Sequence, residues 1–138
     1  MAFGNLADAY RASGEKDKAG ATYDKAIALA FQDLQVNPQS TESMRDLAEY
    51  WAKKGEFARG MESIQRARGI DKKDVSLIYA QATIESMANK PNDALKTLRE
   101  ALSKGYPAND AQTDPDLQNL QNLPAFQAMI KEFSKQGP

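Results

Sequence analysis

Apolar residues return at fixed intervals along this chain. Counted from Met44, the residues Met44, Leu47, Ala48, Trp51, Gly60, Ile64 and Ala67 stand at offsets 0, 3, 4, 7, 16, 20 and 23. The same offsets from Phe3 select Phe3, Leu6, Ala7, Tyr10, Ala19, Tyr23 and Ala26, and from Ile78 they select Ile78, Gln81, Ala82, Glu85, Ala94, Leu98 and Ala101. Offsets 0, 3, 4 and 7 fall on one face of a helix, and offsets 16, 20 and 23 on one face of a second. Ser13-Gly14-Glu15, Lys54-Gly55-Glu56 and Asn89-Lys90-Pro91 break the period at the same place in each series. Gly or Asn there ends a helix in a left-handed turn, and Pro91 suits the first turn of the next. The pattern predicts three helix hairpins over about 1–38, 41–74 and 75–107. Small residues at offsets 4, 16 and 23 allow close backbone approach, and large ones at 0, 7 and 20 fill the space between.

The first two series start 41 residues apart and the last two 34 apart, an excess of seven. Seven residues are about two helical turns, so the added length keeps its face. Ile27, Ala30, Phe31 and Leu34 continue the apolar stripe, predicting one helix from Lys16 to Val36, stopped by Asn37-Pro38. Phe31 and Leu34 project beyond an ordinary hairpin and need cover; cover from within the domain is the expectation. After Lys104, Gly105-Tyr106-Pro107 and residues 108–113 read as a loop. Two short helices follow over 114–135, one opened by Asp114-Pro115-Asp116 and one by Pro124. They are expected to cap the end of the array, whose last apolar face would otherwise be open.

The offsets resemble the tetratricopeptide repeat, whose units carry Trp, Leu, Gly and Tyr on the first helix and Ala, Phe and Ala on the second. The first two series match well, with Tyr10 and Trp51 at the aromatic place and Pro38 closing the first unit. The third departs at Gln81 and Glu85. The resemblance implies an all-α, right-handed superhelix of three hairpins plus capping helices, forming a single domain over 1–138. The tail, with Gly105-Tyr106-Pro107, Asp114-Pro115-Asp116-Leu117, Leu120 and Pro124-Ala125-Phe126, is similar to the ending of such domains in bacterial multidomain signalling proteins, among them serine/threonine kinases and winged-helix or cyclase-type regulators. Phe3 already holds a core position with no capping residue before it, so a piece of a longer chain is expected.

Composition narrows the chemistry. The 138 residues hold 18 basic and 19 acidic side chains, so no global field draws nucleic acid or an anionic membrane. There is no cysteine or histidine, which removes disulfides, thiolate chemistry, the usual general base and the commonest metal ligand. No apolar run reaches the roughly 20 residues of a membrane span. A soluble, cofactor-free protein that is not an enzyme is expected, cytoplasmic in the first instance. The cluster Arg66, Arg68, Lys72 and Lys73 is interrupted by Asp71 and Asp74 and lacks interleaved aromatics, so it reads as a solvated helix end.

In tetratricopeptide arrays the first helices line a concave face. Carried onto this sequence, the family's positions give Asn5, Asp8 and Arg11; Glu42, Arg45, Asp46, Glu49 and Lys53; and Ser76, Tyr79, Thr83 and Ser86. The resemblance implies binding of a peptide segment or partner domain there, with Tyr79 as a stacking surface. The plain reading of the same residues is a solvated face, in which Asp46 and Glu49 pair with Arg45 and Lys53. The clamp used by chaperone-tail binders is not expected, because only Asn5 and Arg45 fall near its positions and Asp8, Asp46 and Glu49 would repel a carboxylate. Nothing in the spacing makes those carboxylates a metal or acid–base site, and Trp51 reads as a packing residue. A second functional expectation is a regulatory or oligomerising part of a bacterial signalling protein whose catalytic part lies elsewhere.

Overall fold

The computed structural model describes residues 2–134. Among them every regular element is helical: α1 (Ala2–Ala12), α2 (Lys16–Val36), α3 (Thr41–Lys53), α4 (Phe57–Ile70), α5 (Val75–Met87), α6 (Pro91–Ser103), α7 (Ala108–Gln112), a 3-10 segment (Pro115–Leu120) and α8 (Pro124–Ser134). The chain forms two compact units, Met1–Ile70 and Asp71–Pro138. Among the described residues no helix is long and apolar enough to cross a membrane.

Local signals explain the helix boundaries. Ser40 Oγ accepts from the Ser43 amide at 3.2 Å and opens α3. Asp74 Oδ1 accepts from the Ser76 amide at 2.9 Å and opens α5. Gly14, Gly55 and Asn89 turn the chain after α1, α3 and α5 at φ of 83°, 87° and 58°. Asn is among the few non-glycine residues that tolerate that region, which is why the third turn works without glycine. The helix from Lys16 to Val36 has the length and bounds the spacing predicted.

In the first unit α1 packs on α2, α2 on α3 and α3 on α4. Its core holds Ala7, Ala19, Tyr23, Ala26, Ile27, Ala30, Leu47 and Tyr50, with Tyr10, Leu34 and Trp51 against its edge. Gly60 of α4 rests on the backbone of α3: a Cβ there would stand 2.9 Å from the Ala48 carbonyl oxygen. Two expectations about this unit need correction. Phe3 and Leu6 are 38% and 44% exposed rather than core: they share the face of Ala7, but of the three only Ala7 is covered by the unit. Phe31 is 48% exposed, so the two added turns of α2 run past the cover available within the unit. Trp51 is the packing residue expected, partly buried against the core.

In the second unit α5 lies against α6 and the 3-10 segment, and nine of its 13 residues are buried. Ile78, Tyr79, Ala82, Ala94, Leu98 and Ala101 join Ala108, Ala111, Leu117, Leu120, Phe126, Met129 and Ile130 in one core. The stretch expected as a loop over 108–113 contains α7 instead, a single turn and more that buries Ala108 and Ala111. A pattern of two apolar positions is too short to announce a helix by periodicity, and only the core they enter gives α7 its stability.

Two glycine substitutions should move stability in opposite directions. Gly60→Ala drives a methyl into a backbone oxygen that cannot swing aside, and should lower the unfolding free energy by about 1–3 kcal/mol. Gly20→Ala, in the interior of α2 with no heavy atom near the new methyl, should raise it by about 0.5–1 kcal/mol. Urea titrations of both variants would show the two signs; equal signs would contradict the packing of α4 on α3.

Candidate functional site

The charged residues expected on the first helices are gathered on the first unit and absent from the second. On α1, Asn5 and Arg11 are exposed and Asp8 is partly covered. On α3, Glu42 is exposed while Arg45, Asp46, Glu49 and Lys53 are half-buried. Lys53, with only a tenth of its side chain accessible, donates from Nζ to Asp8 Oδ1 at 2.8 Å. The same oxygen accepts from Tyr23 Oη at 2.5 Å, a hydroxyl rising from the core on α2. One carboxylate therefore joins three helices. Charge-assisted bonds of this kind are about twice as strong as neutral ones, and with Tyr23 buried the Asp8 position is fixed rather than swinging in solvent.

Beside this joint, Arg45 comes only to 3.9 Å of Asp46. Burial raises the Asp46 carboxyl above its ordinary pKa, and Arg45 offsets only part of the rise. Tyr50, on the next turn, is pushed up to about 12 by burial first and then by the negative charges of Asp46, Glu49 and Asp8. Tyr50 also faces α1 closely: a Cβ at Gly4 would meet its hydroxyl at 2.6 Å. The sequence carries no periodic signal for Tyr50, which falls off the apolar stripe of α3; only its place beside Trp51 marks it. The Tyr23–Asp8 and Lys53–Asp8 contacts span 15 and 45 residues and are invisible to local spacing.

The second unit does not supply the expected continuation. Tyr79 and Thr83 are 6% and 4% exposed, and Ser86 is fully buried. Tyr79 stacks on Tyr106 with ring centroids 3.7 Å apart and donates from Oη to Asp114 Oδ2 at 2.6 Å. Thr83 Oγ1 donates to the Ala80 carbonyl, and Asn119 Nδ2 donates to the Ser86 carbonyl at 2.8 Å. Ser76 Oγ donates to Asp74 at 2.6 Å. The Gly-Tyr and Asp-Pro-Asp segments of the tail thus lie over the face of α5 that was expected to be open, and Tyr79 offers no stacking surface to a ligand. Glu85 Oε1 and Ser86 Oγ are buried there without a hydrogen-bond partner. Among the described residues no group of acidic side chains converges in a way that could hold a metal ion. No family model matches this chain, and no curated protein matches it either.

The shifted groups make pH a test of the first unit. Between pH 10 and about 12 the folded chain keeps the Tyr50 proton that the unfolded chain releases, so unfolding becomes easier as pH rises through that window. The slope is about 1.4 kcal/mol per pH unit for one such proton. Tyr79 shifts in the same direction, from burial and its bond to Asp114. Urea midpoints from pH 9 to 12 should fall, and less steeply in Tyr50→Phe than in the parent. For Asp46 the raised pKa means that its ionised form costs stability at neutral pH. Asp46→Asn should therefore unfold at higher urea than the parent at pH 7, with the gain gone at pH 3, where the carboxyl is protonated in both states.

Proposed function

We propose that this protein is an interaction module of the tetratricopeptide type, an array of helix hairpins that binds a polypeptide segment along α1 and α3 of its first unit. The observation that carries this reading is Asp46. Burial disfavours its charge and Arg45 compensates incompletely, so the residue is poorly explained by folding. Residues that lower stability where they stand are commonly retained for function. Around it, Glu42, Arg45, Glu49, Lys53 and Asp8 present both signs of charge on adjoining helices. Such a surface suits a segment bearing charges of its own, with Asp8 held in place by Tyr23 and Lys53 so that little ordering is needed on binding.

The surface gives little reason to expect chemistry. Beside Asp46, the Tyr50 hydroxyl is pushed up to about 12 and stays protonated at neutral pH, where it is a poor base. Recognition fits the arrangement better than turnover.

Peptides selected by display against the immobilised protein provide the test. Asp46→Asn combined with Glu49→Gln should weaken their binding at least about tenfold, or 1.4 kcal/mol, while Tm stays level or rises. Loss of affinity alongside a gain in stability is the signature of a residue kept for binding. Affinity that does not change, or falls only as the fold melts, would remove α3 from the binding surface.

A further inference from the structure

The first unit has a second surface, on the side where the added turns of α2 end. Phe31, Leu34, Met44, Leu47 and Trp51 floor an open groove of about 480 Å³, bounded by Gln35 and Pro38 on one wall and by Arg59, Glu62, Ser63 and Arg66 on the other. Phe31 is half exposed and Trp51 half-buried, so apolar surface is on offer. The α4 wall is charged and the α2 wall is not. Arg59 lies over the Trp51 ring at 4.8 Å. Among the described residues, neither Arg59, Arg66 nor Glu62 makes an ion pair.

We infer that this groove binds an amphipathic helix of a partner protein, a helix that carries acidic residues seven positions apart along one edge of its apolar stripe. Three features select that occupant. The groove is walled by helices, whose backbone groups are already paired, so an extended segment would find no partners for its own amides and carbonyls. A helix brings those bonds with it and needs only apolar anchors. Arg59 and Arg66 stand two turns apart on one stripe of α4, about 10.5 Å along the axis. A partner helix running alongside meets both with carboxylates at i and i+7. Glu62 lies between the two arginines and disfavours a third acid there, so the intervening position is neutral or basic. The neutral α2 wall requires nothing of the opposite edge. The groove is separate from the charged face of α1 and α3, and its occupancy does not depend on the function proposed for that face.

Trp51 is the only tryptophan of the chain and reports on the groove directly. The probe is a designed Leu-striped helical peptide of about four turns with Glu at two edge positions seven apart, compared with the same peptide carrying Lys at both. The Glu peptide should shift the Trp51 emission and bind at least tenfold more tightly than the Lys peptide. Arg59→Glu with Arg66→Glu should reverse that preference, and Arg66→Glu alone, which leaves the stacking on Trp51 intact, should reduce it. Phe31→Ser should weaken both peptides without lowering Tm, because Phe31 is half exposed. Equal binding of the two peptides, a preference that survives charge reversal, or binding that leaves Trp51 emission unmoved would overturn the assignment. So would concentration-dependent self-association in sedimentation velocity that Phe31→Ser abolishes, since the groove would then belong to a second copy of the chain.

Discussion

Two helices can lie no closer than the side chains between them permit, and in this protein that distance is set by alanine and glycine. Ala7, Ala19 and Ala26, Ala48, Gly60 and Ala67, and Ala82, Ala94 and Ala101 are all buried at equivalent offsets in the three hairpins. Where Gly60 meets the Ala48 carbonyl even one methyl has no room. Between these small residues Tyr23, Ile64 and Leu98, at the equivalent large position of each hairpin, fill the space with no more than 1% of each accessible. Phe3, Leu6 and Phe31 stand outside these seams and keep apolar surface in solvent.

Helix identity was largely legible before the structure, because a 3.6-residue period survives any tertiary arrangement. The bounds of α2 could be read from Ile27 to Leu34 and the Asn37-Pro38 stop, and the turns at Gly14, Gly55 and Asn89 from residue type alone. Burial was less legible. Periodicity says which face of a helix is apolar and not whether anything rests on it, so Phe3, Leu6 and Phe31 carry a core pattern and still meet solvent. The converse error concerned α5, where Tyr79 follows a polar-face spacing yet lies beneath a tail that joins it from more than 20 residues away.

The candidate site divides along the same line. Asp8, Arg45, Asp46, Glu49 and Lys53 were identifiable by position, since charged residues on a hairpin's first helix are visible in a string of letters. Their energetic differences were not. Whether a carboxylate is stabilised, as Asp8 is by Lys53 and Tyr23, or penalised, as Asp46 is, depends on neighbours across helices and on lost water. The groove beside Trp51 was hidden for a related reason: its apolar floor looked like core in the sequence, and Arg66 like part of an ordinary solvated helix end.

Asp114 binds two ways at once, accepting the Asp116 amide with one oxygen and the Tyr79 hydroxyl with the other. The first bond is local and forms as soon as the 3-10 segment does. The second closes a loop of 35 residues, which has to wait for chain that emerges much later. During synthesis, α5 and α6 would therefore leave the ribosome with the Tyr79 face still uncovered, and that face stays sticky until Asp114 arrives. The first unit lies wholly upstream, and its contacts can form before this interval begins.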